Sequence, residues 1–396
     1  MSKRVILIQL ARLGDLVQTI PVITALKEAR EDWTFDLLCP AHLEEIGRIL
    51  PGIAAVVPWD GAAWHQRARL AEKECKPEHV AEVDAALRMI VDEPYDRALV
   101  LNQHPRAVLA GALFAQESIG AIVGGPLDQI LSPWATYVRA VVNDRRENRI
   151  HLADVFCGMC GVVPPKHMMP IQAPTGVLPV DLEPIGQSEG TWIGLLVGAG
   201  EQERLVPITA WTGLITDCLD HLHQSRIVLL GSGQEQERAY RIQAALPPSL
   251  IGRVWDTTGR LSLKELALVL TRCDVVIGAD TGPLHLAAAL GTTVIGWYFS
   301  RARVHETGPY GENHWVWQAE GGAAGPGDRL TMPEVWPIDE TIALLSNRSV
   351  IPNRDWSLWR SYRDRWGAYY VQAGYAPIAP SQRLQIWQEL HSTPVG

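Results

Sequence analysis

The feature that most restricts the fold is a repeated three-part phrase. A short, almost wholly apolar run is followed by a tight turn rich in glycine or aspartate, and then by a segment with helical apolar spacing. Residues 5–10 (VILIQL) lead into Gly14-Asp15 and an apolar-periodic stretch to Ala29. Residues 192–197, 226–230 (RIVLL) and 274–278 repeat the pattern, and 35–39, 97–102 (RALVLN) and 293–298 are further short apolar runs of the same kind. A run apolar at nearly every position is buried on both faces, as in a parallel strand covered by helices. The alternation predicts α/β architecture with parallel, doubly wound sheets. Ser262, with Glu265 three residues on, marks one helix start as a capping box.

The rhythm is interrupted once. Prolines 164, 165, 170, 174, 179 and 184 cluster with several glycines, the composition of an interdomain linker. The chain therefore divides into a Rossmann-like half at 1–175, a linker at 176–190, a second Rossmann-like half at 191–346 and a tail at 347–396. In the tail, Trp356, Trp359, Trp366 and Tyr370 fall on one helical face. That spacing predicts a helical extension packing on the body. The alternative is an interfacial helix in peripheral contact with a membrane, with Arg360, Arg363 and Arg365 beside the aromatics.

A formal net charge of −9 argues against a nucleic-acid-binding surface, so any anionic substrate needs a local basic patch. No stretch approaches the roughly 18 apolar residues that cross a bilayer. With no signal-like start, the chain is expected to be soluble and cytoplasmic. The cysteines at 39, 75, 157, 160, 218 and 273 are scattered, unlike a disulfide framework. Cys157 and Cys160 form a lone C-x-x-C without a second pair at zinc spacing, and are expected to be inert helix thiols with no metal.

Several turns at strand ends carry candidate chemistry. Gly14 allows close backbone approach, and the carboxylate of Asp15 is placed either to accept a proton or to cap the next helix. Residues 280–285 (DTGPLH) form a strand-to-helix turn. Pro283 suits the first helical turn, and the free N–H groups around Thr281 and Gly282 suit a pyrophosphate. His285 lies one turn in. Gly198, with Arg204 shortly after, is a second phosphate-type turn. Glu235, after Gly231-Ser232-Gly233, is placed either to accept from ribose hydroxyls or to cap its helix. Neither G-x-G-x-x-G nor a P-loop is present, and H-E-x-x-H is also absent, which disfavours dinucleotide oxidoreductases, P-loop ATPases and zinc proteases. The G-x-S-x-G at 186–190 (GQSEG) lies in the proline-rich linker, not between a strand and a helix, so it gives no support to an α/β-hydrolase. No D-x-D metal clasp occurs.

Together, residues 12–21 (RLGDLVQTIP) and 280–296 (DTGPLHLAAALGTTVIG) resemble the glycosyltransferase family 9 heptosyltransferases, with weaker echoes at 100–106, 198–207 and 228–235. The resemblance spans roughly residues 3–345. It implies a GT-B fold, two Rossmann-like domains facing across a cleft, with acceptor on the first and nucleotide on the second. It implies inverting, metal-independent transfer with Asp15 as general base. Gly198, Arg204, Glu235, Asp280, Thr281, Gly282 and His285 match donor-binding positions, Arg204 standing where the family commonly has lysine. Gly14 and Arg106 fall on the acceptor side. Gln18 and Val206 replace a usual histidine and tryptophan. The expected donor is an ADP-sugar, most directly ADP-heptose, with no further cofactor. The expected acceptor is an acidic glycan or glycolipid such as a lipopolysaccharide core, met by a basic rim of Arg106, Arg139, Arg145, Arg146 and Arg149. The competing expectations are a GT-B transferase with another nucleotide sugar or a protein acceptor, a nucleotide-sugar epimerase, and a non-catalytic nucleotide-sugar-binding scaffold.

Overall fold

Strands with no wet face must be covered on both sides, and the chain does this twice. The computed structural model describes residues 3–391 apart from 75–76, 126–127, 188, 223, 323–324, 326 and 329–330. It separates into two compact units. One holds the described residues of Met1–Val138, Ala153–Met169 and Gln388–Gly396, and the other Arg139–Leu152 and Pro170–Trp387.

The first unit is built on β1 (Lys3–Ile8), β2 (Trp33–Pro40), β3 (Ile53–Trp59), β4 (Tyr95–Val100), β5 (Ala115–Gly125) and β6 (Asp128–Leu131), in the order β3-β2-β1-β4-β5-β6. All pairings are parallel except β5 with β6. Val5, Ile6, Leu7 and Ile8 are fully buried, so β1 is central and its carboxyl end opens at the Gly14-Asp15 turn. Gly120 is a strand position that demands glycine. Its φ is +101°, and a Cβ would stand 2.2 Å from the Val100 carbonyl oxygen.

The second unit carries β7 (Trp192–Leu196), β8 (Arg226–Leu230), β9 (Val254–Asp256), β10 (Val275–Ala279), β11 (Thr293–Tyr298), β12 (Trp315–Ala319), β13 (Trp356–Asp364) and β14 (Gly367–Gln372). Their order is β14-β13-β12-β11-β10-β7-β8-β9. The run from β12 to β9 is parallel throughout, and β13 and β14 are antiparallel additions at one edge. On one face of the sheet, Trp211 stacks on Trp297 at 5.3 Å, and Trp336 packs against Trp297, Phe299 and Trp356.

The helical reading of the tail is corrected at 356–372. These residues form a hairpin that extends the sheet, and among the described residues of the tail only Ser381–His391 is helical. Aromatic residues fit a pleated surface well, and the free edge of β12 offered backbone partners that an isolated helix lacks. In the extended register Trp356 and Leu358 enter the core that holds Trp297. Trp387 of the last helix is fully buried against Trp366. The aromatics thus spend themselves on packing, which removes the helical face proposed for a membrane. Among the described residues, no helix is long and apolar enough to cross a bilayer.

Five cysteines are free and buried, and Cys75 lies outside the described residues. Burial pushes the Cys160 thiol up to about 12, so it is protonated at neutral pH and a poor nucleophile. Among the described residues no cluster of histidine, cysteine or carboxylate side chains has the makings of a metal site.

The last helix is pinned by Arg383. Its side chain is buried and donates to both Asp364 oxygens, at 3.2 Å and 2.5 Å, and to the Gly367 carbonyl at 3.2 Å. Removing one member of a buried pair leaves the other uncompensated. Arg383→Ala is expected to lower the unfolding free energy by about 2 kcal/mol, below the fully buried case because Asp364 retains some solvent. Urea unfolding checks this.

Candidate functional site

The centre of the candidate site is the turn after β10. All five residues of β10 are buried, and Gly278 is needed because a Cβ would fall 2.8 Å from that of Leu196 on the neighbouring strand. Asp280 is the first residue after the strand. Thr281 is extended, with φ −140° and ψ 156°, and starts the helix Gly282–Ala289 with Pro283 in its first turn. The Thr281 hydroxyl is buried without a hydrogen-bond partner. The first N–H groups of such a helix have no carbonyl within it to bond, and they point along the positive end of its dipole.

Three side chains converge on Asp280. His285 Nε2 stands 3.1 Å from Oδ1. An ionised carboxylate can only accept, so Nε2 carries the proton. Arg204 donates from Nη1 to Oδ2 at 3.2 Å, and Thr307 donates from Oγ1 to the same oxygen at 3.3 Å. Burial alone would push this carboxyl up. The bond to His285, and the charges of His285 and Arg204, outweigh it and hold the carboxyl below its ordinary value. Arg204 also approaches Glu201, Nε to Oε2, at 3.4 Å.

Around this core lies a layer that sequence reasoning missed. Tyr298 donates its hydroxyl to the Thr307 carbonyl at 2.7 Å. Glu306 accepts from Arg145 at 2.7 Å, and burial pushes its carboxyl up, partly offset by Arg145. The signal was available in the strand order. The strand 293–298 pairs directly with β10, so the loop after it has to end beside Asp280.

Two further loops reach the same sheet edge, since β7 and β8 run parallel to β10 in consecutive order. At the end of β7, Gly198 leaves room for Glu235, whose carboxyl carbon would stand 2.7 Å from a Cβ there. Glu235 accepts from the backbone N–H of Ser232 at 2.7 Å and from its hydroxyl at 2.6 Å, which makes it the carboxylate of a capping box. Arg238 secures the loop between Gly198 and Val206 by donating to the carbonyls of Val197, at 2.8 Å, and of Val206. Arg238 was not foreseen from sequence.

The remaining candidates belong to the first unit. Asp15 lies in the short helix Leu13–Val17, and its carboxylate accepts from the Arg12 backbone N–H at 3.2 Å, so it caps its own helix. Gly14 contributes its carbonyl to the Gln18 N–H at 2.9 Å. Arg106 is exposed at the start of the helix Pro105–Phe114. The expected basic rim is not one cluster of free cations. Arg145 is paired with Glu306, Arg146 with Asp144 at 3.1 Å, and Arg149 donates to backbone carbonyls. The structure thus groups Arg204, Asp280, Thr281, Gly282 and His285 tightly, places Gly198 and Glu235 on adjoining loops, and puts Gly14, Asp15 and Arg106 on the other unit.

Known proteins resemble this chain in sequence and in fold. Residues 181–325 match the model of glycosyltransferase family 9 (heptosyltransferase). Lipopolysaccharide heptosyltransferase 1 of Pseudomonas aeruginosa is 24% identical over 317 residues, covering 78% of this chain and 82% of that protein. Among solved structures, the E. coli heptosyltransferase WaaC with ADP superposes with a TM-score of 0.58 at 20% identity, covering 80% of this chain and 94% of that one. A family 9 glycosyltransferase from Veillonella parvula superposes with a TM-score of 0.61 at 16% identity, covering 98% of this chain and 97% of that one. The two structures establish the likeness of fold.

The charge arrangement at Asp280 has a pH signature. A carboxyl held low in the folded state adds stability above its unfolded value, and that stability is lost as pH falls through the lower folded value. The stability gap between the wild type and Asp280→Asn is therefore expected to be constant at neutral pH. It should shrink progressively below the ordinary aspartate value of 3.8. Urea unfolding of both proteins over an acid series measures it, and a gap independent of pH would contradict the ionised pairing.

Proposed function

We propose that the chain is a glycosyltransferase of family 9 that transfers heptose from ADP-heptose to a lipopolysaccharide core or related acidic glycan, with inversion and without a metal ion. The observation that carries the donor half of this reading is the buried Asp280 carboxylate, which holds Arg204 and His285 at the free N-terminus of the helix Gly282–Ala289. A cation, an imidazole N–H and unbonded backbone N–H groups at one point favour an anion. Asp280 itself would repel a phosphate, so its role is to fix the two side chains that attract one and to accept from sugar hydroxyls. Arg204 bonds Asp280 through Nη1, and its other amino group is assigned to the pyrophosphate. Glu235, set beside Gly198, is assigned to the nucleoside.

In the proposed reaction the acceptor hydroxyl gives its proton to the carboxylate of Asp15 as its oxygen bonds to the anomeric carbon. The bond from that carbon to the pyrophosphate oxygen breaks on the opposite face, and its electron pair leaves with ADP. The charge growing on the leaving group is met by Arg204 and the N–H groups at Thr281 and Gly282. Donors fixed before the reaction stabilise such charge without reorganisation. Gly14 and Arg106 are assigned to the acceptor, and the donor places the reaction in the cytoplasm. A lipid-linked acceptor would bring the enzyme to the membrane surface.

Calorimetry with ADP, UDP, GDP, CMP and NAD, first without metal and then with Mg²⁺, tests the donor. ADP is expected to bind without metal, and His285→Ala to weaken it about tenfold, the size of a lost charge-assisted hydrogen bond. A preference for UDP or GDP would redirect the donor, and binding of none would remove the reading.

Asp15→Asn tests the base. Its kcat is expected to fall by about 10² to 10⁴, the range of general base catalysis, while ADP affinity stays unchanged. Turnover within a fewfold of the wild type would assign Asp15 to helix capping alone.

A further inference from the structure

The loop that delivers Thr307 to Asp280 is short and irregular. It consists of the single helical turn Val304–Thr307 followed by Gly308, Pro309 and Tyr310. Side chains from three separate elements hold it. From β11, Tyr298 bonds the Thr307 carbonyl at 2.7 Å. From the segment 139–152, Arg145 pairs with Glu306 and His151 Nε2 lies 2.8 Å from the Gly308 carbonyl oxygen. From the C-terminal hairpin, Tyr370 donates its hydroxyl to the Pro309 carbonyl at 3.1 Å.

The contact with the hairpin is close. A Cβ on Gly308 would stand 2.3 Å from the Tyr370 ring and 2.4 Å from its oxygen, so glycine is required there for backbone and ring to meet. His305 lies edge-on to Trp359 at 5.0 Å and to Tyr370 at 6.0 Å, and His151 stacks at 6.3 Å from Tyr370. Burial pushes His151 down to about 3 and His305 down to about 4. Both rings are uncharged at neutral pH and serve as packing surface. His151 Nε2 must then carry its proton to bond a carbonyl.

We propose that Tyr370 is a positioning residue. The C-terminal hairpin, acting through the loop 304–310, holds Thr307 against Asp280 and so sets the position of Arg204 and His285. The hairpin is far along the chain from the residues it positions. It reaches them because β14 and β13 continue the same sheet that carries β10 and β11. The effect on a donor rests on the reading that Asp280 organises the donor site, whereas the effect on the loop does not.

The test compares Tyr370→Phe, which keeps the ring and removes one hydrogen bond, with Gly308→Ala, which forces a Cβ into the same ring from the loop side. Tyr369→Phe is the control. It removes the neighbouring hydroxyl, which bonds Pro377 on the exposed side of the hairpin. Amide hydrogen exchange of the ligand-free proteins is expected to speed up about fivefold at 304–310 in Tyr370→Phe, more in Gly308→Ala, and not in the control, a size set by one neutral hydrogen bond. In calorimetry the ADP dissociation constant should rise in the same order, with the thermal midpoint of Tyr370→Phe close to that of the control. Exchange at 304–310 equal to the wild type in Tyr370→Phe overturns the proposal whatever the nucleotide does. So does a crystal structure of that variant with Thr307 still bonded to Asp280. Faster exchange with unchanged ADP affinity overturns the link to the donor. If the wild type binds no ADP, the donor reading fails by itself, and the exchange data and the crystal structure still decide whether Tyr370 positions the loop.

Discussion

Most of the second unit's functional edge is organised by one buried carboxylate. Asp280 stands where burial disfavours charge, and it is held ionised by His285, Arg204 and Thr307. A buried ion is tolerated when it is paired and its remaining lone pairs are bonded. That requirement fixes more than Asp280. Arg204 has to come from the loop after β7, which Arg238 ties down at Val197 and Val206. Thr307 has to come from the loop after β11, which Tyr298 ties down. The loops of three adjacent parallel strands are thus brought into register by the needs of a single charge.

The sheet makes this economical. Parallel strands β11, β10, β7 and β8 end at the same edge, so side chains remote in sequence meet without long excursions. The glycines at 278 and 198 are the sequence-level trace of that crowding. One lets β10 lie against Leu196, and the other lets Glu235 fold over the end of β7. Gly198 is read as a phosphate-loop glycine when seen alone, and Gly278 simply as the end of a strand. In the structure each is first a space for a neighbouring side chain.

Much of this was legible in the sequence, for identifiable reasons. The strands with every position apolar were recognisable, because burial on both faces leaves no alternation to confuse with a helix. The turns at 280–285 and 198–204 were recognisable because glycine, proline and a cation each have a positional reason to be there. The segment 356–372 was misread because its aromatics satisfy a helical spacing by coincidence. Only the free edge of β12, a tertiary fact, decides for strands. The ring around Asp280 was also invisible, since Tyr298, Glu306 and Thr307 carry no local signal and acquire meaning only once the strand order is known.

Asp15 accepts from the Arg12 N–H and Glu235 from Ser232, so each satisfies a helix start. A cap uses one or two of the four lone-pair directions of a carboxylate, and it fixes the side chain's rotamer. The remaining directions are then presented by a group that has already lost its conformational freedom. Capping and ligand recognition are therefore compatible roles at a strand-to-helix turn. The cap supplies the rigidity that a base or a ribose acceptor at the end of a parallel strand requires.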